Sequence, residues 1–484
     1  MQITDVAIIG SGLSSLVSAA LLANEGVKVT IFERNYLPGG CTSSYWRKGY
    51  TFDSGATTIV GFDKGMPMQI FSERTGIEFN LRKLDPPMEV HLPDNEVLTR
   101  YNNIEEWVDQ TINYWGDKPG LKEFWKEMYR VSQLVWKISG QQTHFPPSKT
   151  KDLLKLIGNF QPGQLRLIPE VFKNVQSEID KYNLNDLKYF KTFIDEQLLI
   201  SAQNHASEVN KPFGAAALCY TNYTNYYSDG GLMGLIQPIL DYLEGKGCEL
   251  IFRNPVEKIT KSNGGYFISS KNGIYQSKYL ISGIPVNNTE KIIDFNLNAS
   301  NKSKILSSEK LYSAFQMGIG FKGKLNSSAI HHQIILEEPI AELDADSFFL
   351  SVNHPEDLTR APEGHSVANI SMHIRNPEKT RFDKDKVVKR VLKELQIRNL
   401  IDEASVDYLH SSTQFSWEKW TGRAFGFVGG YPQYFSIKPW QMIDSRIDGD
   451  KAYQCGDSTY PGQGIPGVAL SGIIAFEKLR SDWL

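Results

Sequence analysis

The start of the chain alternates between unbroken apolar runs and a glycine-rich break. Asp5 to Ile9 (DVAII) is almost wholly apolar, the pattern of a strand buried on both faces. Gly10-Ser11-Gly12-Leu13-Ser14-Ser15 interrupts it. Leu16, Val17, Ala19, Ala20, Leu21 and Leu22 then predict a buried helix ending near Gly26. Val27 to Phe32 (VKVTIF) predicts a second strand, closed by Glu33. Further along, Glu249–Arg253, Lys278–Gly283 and Ala452–Cys455 read as short strands, and Val468–Lys478 as a helix.

The opening is a βαβ unit of about 30 residues with a glycine turn at its first crossing. Gly10 permits the tight turn, and Gly12 leaves room for a pyrophosphate at the helix N-terminus. There the free N–H groups of Leu13 and Ser14 and the helix dipole favour anionic oxygen. Glu33, 23 positions after Gly10, is placed to accept hydrogen bonds from an adenosine ribose, with Arg34 beside it. Ser15 stands where this turn usually has a third glycine or alanine, at a point of close helix–strand packing. The doublet Gly39-Gly40 keeps the backbone thin beside a cofactor that continues past the pyrophosphate. That points to FAD rather than a nicotinamide nucleotide.

Composition narrows the alternatives. Lys plus Arg number 52 and Asp plus Glu 55, a formal net charge of −3, which offers no basic field for nucleic acid. Cys41, Cys219, Cys248 and Cys455 form no C-x-x-C pair, so neither a zinc site nor a dithiol redox motif is expected, and the thiols read as reduced packing residues. The nine histidines show no ligand pair on a helix face, and no metal is expected. No G-x-S-x-G element supports a serine hydrolase. The N-terminus lacks the features of a signal peptide and no run of about 20 apolar residues occurs. The expected location is cytoplasmic, with any membrane contact peripheral.

Four blocks of residues resemble the phytoene desaturase and carotenoid isomerase family of flavoproteins. They are LPGGCTSSYWRKGYTFDSGATTIVG, from Leu37 to Gly61; Asp229–Leu235 (DGGLMGL); Gly422–Gln433 (GRAFGFVGGYPQ); and Cys455–Val468 (CGDSTYPGQGIPGV). The first is shared with flavin amine oxidases; the last is more specific. The resemblance covers both ends strongly and the middle weakly, and the wider group includes retinol saturases. It implies an α/β fold: a Rossmann-type FAD-binding domain split in sequence (1–80, 228–298 and 415–484) with an inserted α+β substrate domain (81–227 and 299–414). It also implies that Val256 contacts adenine through its backbone. Gly456 and Asp457 would reach the ribityl or pyrophosphate side of the flavin. Gly464, Ile465 and Val468 would pass the isoalloxazine, with the helix N-terminus towards its N1–C2 edge.

The activity so implied is desaturation or isomerisation of a carotenoid or carotenoid precursor, a long apolar polyene, with quinone or oxygen as electron acceptor. The alternatives are a flavin-dependent saturase or oxidase of a retinoid, lipid or amine, and a non-enzymatic escort protein on the same fold. Arg423 and Asp53 are the polar residues to test first for catalysis. Trp107, Trp115, Trp125 and Trp136 lie on helix-like spacing, most of them expected in a helical core and some along a substrate tunnel. Residues 149–175 mix Lys149, Lys151, Lys155, Arg166 and Lys173 with leucines and isoleucines, a basic amphipathic surface suited to a bilayer or to packing within the substrate domain.

Overall fold

The computed structural model describes residues 2–55 and 58–484; Ala56 and Thr57, within the first family-like block, lie outside the described residues. The predicted βαβ unit is present as strand Gln2–Ile9, helix Leu13–Asn24 and strand Val29–Phe32. These enter a sheet whose parallel core runs Glu249–Ile251, Val29–Phe32, Gln2–Ile9, Gly273–Ser282. Strand Gly273–Ser282 divides its outer edge. Its first half pairs antiparallel with Gly265–Ser270, and its last three residues pair parallel with Ala452–Gln454. The C-terminal strand thus lies one strand away from the N-terminal one.

The apolar runs follow from burial on both faces. Val6 and Ile8 pack into one core with the helices Leu13–Asn24 and Ile465–Trp483, while Ala7 and Ile9 pack into a second core with Phe32 and Leu280. The closing helix is longer than the predicted Val468–Lys478. It crosses the first helix closely: a Cβ on Gly472 would overlap the Ser14 carbonyl, and Ser18 Oγ donates to Gly472 O at 2.8 Å.

A second seven-stranded sheet is ordered Val406–Ser412, Tyr312–Lys322, His365–Arg375, Ala345–Val352, His331–Ile340, Met88–His91, Val97–Arg100. Every pair in it is antiparallel except Met88–His91 with His331–Ile340. Helices between Ile104 and Leu218 form a third core. Trp107, Trp125 and Phe193 there surround the buried Arg100 guanidinium, which lies 4.1 Å from the Trp107 ring centroid and donates to Gln197 Oε1 at 2.6 Å. Most of the aromatic cluster is therefore core, whereas Trp136 faces a cavity.

Candidate active site

The loops that leave the parallel strands converge at one end of the first sheet. Gly10 ends its strand at φ 87°, and Gly283 N–H donates to Ile9 O at 2.8 Å. Cys455 N–H donates to Ser282 O at 2.9 Å, and Gly456 lies against Gly283 and Ser14. Residues 10, 283 and 456 are therefore neighbours because their strands are neighbours. Gly283 also accommodates the departure at Ser15: a Cβ on Gly283 would overlap Ser15 Oγ, so the room usually made by a third glycine is made by the facing strand.

The residues fit a flavin dinucleotide. Among the described residues nothing beyond its chain neighbours lies within 4 Å of where a Gly12 Cβ would stand, so the space above it is open. No side chain caps the first turn of the helix that begins at Leu13, leaving the N–H groups of Leu13 and Ser14 for an anionic oxygen. Gly39 pairs with Gly12 and donates to Ser11 O at 2.8 Å, which lays the Gly39-Gly40 doublet beside the glycine turn. Glu33 is buried, and it accepts from Ser11 N (2.9 Å), Ser11 Oγ (2.7 Å) and Asn35 N (2.7 Å). Val256 begins a strand next to Asn254, whose N–H donates to Glu33 O at 2.9 Å. Arg34 reaches across to cover Gly422.

On the C-terminal side of the site Asp457 accepts from Arg423 at 2.8 Å, and Arg423 also donates to Phe427 O at 2.7 Å. Gly464 precedes the closing helix, which starts at Ile465 without a side-chain cap. These segments form the inner wall of a cavity of about 790 Å³. Cys41, Thr42, Asp457 and Ile465 to Val468 stand at that wall, and Trp136, Tyr223, Phe348 and Met372 continue it. Both polar side-chain atoms of Gln463 are buried beside the cavity without a partner among the described residues, the condition of an amide that awaits a ligand. Burial raises the Cys41 thiol and pushes Cys455 up to about 11, so neither is an activated nucleophile.

Asp53 does not face open space in the same way. It is buried, pairs with the buried Arg360 at 2.9 Å, and accepts from Ser44 Oγ (2.7 Å) and Leu232 N (2.9 Å). It ties the hairpin Ser44–Asp53 to the DGG block that opens helix Met233–Gly245. Sequence reasoning missed Arg360, Gln463 and Glu196. Glu196 lies on helix Phe190–Ala202 and lines the cavity. Burial pushes its carboxyl up to about 7, against one bond from Ser347 Oγ at 2.5 Å. Its one legible signal was an acid inside an apolar stretch, FIDEQLLI. Spacing along single elements brings no histidine ligands together, whereas the second sheet gathers Glu89, His91 and His332 from two strands.

Residues 13–477 match the family described as flavin containing amine oxidoreductase, and the chain belongs to that family. It is an FAD-dependent oxidoreductase. Among curated relatives, prolycopene isomerase 1 of an Oncidium hybrid cultivar is 26% identical over 505 residues, covering 99% of this chain and 84% of its own. The 4,4'-diapophytoene desaturase (4,4'-diaponeurosporene-forming) of Staphylococcus aureus is 23% identical over 513 residues, covering 99% of both chains. A double mutant of putrescine oxidase has the same fold, with a TM-score of 0.65, 13% identity and 99% of both chains covered. The resemblance to phytoene desaturases and carotenoid isomerases, and the flavoprotein fold it implied, are borne out.

Proposed function

We propose that this enzyme desaturates or isomerises a carotenoid or carotenoid precursor held in the 790 Å³ cavity. The observation that carries the reading is the path of that cavity. It runs from the segments assigned to the flavin, Cys41 and Ile465 to Val468, to an apolar rim at the surface formed by Leu156, Phe160, Ile168, Phe172 and Trp440. Its walls are mostly aliphatic and aromatic, which suits a long hydrocarbon and excludes water from the reacting bonds. The relatives named for carotenoid chemistry cover the whole chain. On this reading residues 1–80, 228–298 and 415–484 hold the cofactor, and 81–227 and 299–414 shape the substrate site.

Desaturation removes a hydride and a proton from adjacent carbons; FAD, when bound, supplies the hydride acceptor, and a quinone or oxygen takes the two electrons onward. The chain's part is placement. Leu13, Ser14, Glu33, Gly39 and Gly40 would hold the dinucleotide end, and Val256 would meet the adenine. Arg423 fixes Asp457 beside the inner wall, and Asp53 fixes the hairpin that frames it; both act as positioning residues. His373 also lines the cavity, and burial pushes it down to about 4, so it stays neutral.

The rim also supports peripheral attachment to a bilayer. Leu154 is 65% and Ile157 70% exposed, and Phe160, Leu165, Ile168 and Phe172 are exposed beside them. Lys155 and Arg166 are exposed among these residues, whereas Lys149 and Lys151 turn inward to Asp482, so the basic contribution is smaller than the sequence implied. Among the described residues no helix is long and apolar enough to cross a membrane.

Expression of the full chain in a carotenoid-producing host tests the proposal. Extracted pigments should gain conjugation or change double-bond geometry. A flavin-loaded chain that leaves the pigments unchanged refutes it. A second reading, oxidation of an amine, is favoured by the Glu196 carboxyl in the cavity, and hydrogen peroxide release with amines would select it.

A further inference from the structure

We propose that Glu89, His91 and His332 form a binding site for one divalent transition-metal ion of the zinc class, apart from the flavin site. Glu89 and His91 are two residues apart on strand Met88–His91 and so share a face. His332 lies beside Glu89 on the parallel strand His331–Ile340. His91 Nε2 is 3.1 Å from His332 Nδ1; Glu89 Oε2 is 3.5 Å from His332 Nδ1 and 4.0 Å from His91 Nε2. The circle through these three atoms has a radius of about 2.1 Å, the length of a bond from zinc to imidazole nitrogen or carboxylate oxygen. None of the three residues lines the cavity.

The surroundings orient the ligands as metal sites require. His332 Nε2 lies 3.1 Å from the Ala329 carbonyl, an acceptor only, so Nε2 carries the proton and Nδ1 presents its lone pair to the cluster. Ser327 Oγ donates to Glu89 Oε2 at 2.9 Å and holds the carboxylate. In the metal-free state His91 Nε2–H donates to His332 Nδ1; on binding, His91 changes to its Nδ1–H tautomer, and the freed Nε2 lone pair takes the metal. Two neutral imidazoles and one carboxylate leave a fourth position for water, at the partly exposed edge beside Glu89. Arg398, a cation acting on His91, is itself paired with Glu394 at 2.9 Å. A bound ion would staple Met88–His91 to the sheet at its only parallel junction among the described residues.

The test uses tag-free, FAD-loaded protein stripped with chelator and titrated with Zn²⁺ or Co²⁺. The expected result is one equivalent bound per chain, a higher unfolding temperature, and the visible bands of four-coordinate Co²⁺. Glu89→Gln and His332→Ala should each weaken binding at least about tenfold with the flavin spectrum unchanged. Should a variant not fold, X-ray absorption of the wild-type zinc complex decides, with a shell of two imidazole nitrogens and carboxylate oxygen expected. Binding well below one equivalent, bands that persist in both variants, or a shell without two imidazoles overturns the proposal.

Discussion

Glu196→Gln exchanges an ionisable acid for a neutral amide of nearly the same shape at a position only 2% exposed. The carboxyl is raised from 4.5 to about 7, chiefly by burial and further by the nearby Asp346 and Asp195. Between those values the folded chain holds the proton more tightly than the unfolded chain, so stability is greatest below about pH 4.5 and falls as pH rises through about 7. The full loss is about 3 kcal/mol, at about 1.4 kcal/mol for each tenfold change in proton affinity. Glutamine cannot ionise, yet its carbonyl can still accept from Ser347. With an unfolding entropy of about 2.1 cal/mol/K per residue, 3 kcal/mol in this chain corresponds to about 3 °C. Scanning calorimetry of both flavin-loaded proteins should therefore find equal unfolding temperatures near about pH 4.5, and the variant higher by about 3 °C near about pH 8. Parallel pH dependence in the two proteins would refute the buried, protonated acid.

Gly12→Val should fold normally, because among the described residues nothing beyond its chain neighbours lies within 4 Å of the added Cβ, yet it should purify without flavin absorbance because the side chain fills the pyrophosphate space. Asp53→Ala strands the buried Arg360 charge and should cost about 3–5 kcal/mol, read as a drop in unfolding temperature of about 3–5 °C. Leu154→Glu and Ile157→Glu alter exposed positions, so stability should change by less than about 0.5 kcal/mol while cosedimentation with anionic vesicles falls.

The cofactor half of the fold was legible because its signals are local or have fixed spacing. A strand buried on both faces must be apolar throughout, and a phosphate-binding turn must have glycines where backbone and ligand meet. Ser15 shows the limit: the glycine that accommodates it is Gly283, 268 positions later, and only strand pairing reveals it. The same holds for Arg360 under Asp53 and for Lys149 and Lys151, whose partner Asp482 lies in the closing helix. In the middle of the chain, helical spacing marked Trp107 and Trp125 as buried but could not separate a core from a tunnel, since both demand apolar faces. Glu89 and His332 share a sheet face through a pairing that no period along either strand encodes.

Anaerobic mixing of the flavin-loaded enzyme with candidate polyenes, followed by flavin absorbance and product chromatography, probes the joint claim of a two-ended cofactor site opening on a hydrocarbon cavity. A polyene that bleaches the flavin and emerges with an added double bond, or one that isomerises only after the flavin is pre-reduced, is the predicted result. A flavin that no polyene reduces or employs, but that an amine bleaches at once, would contradict it.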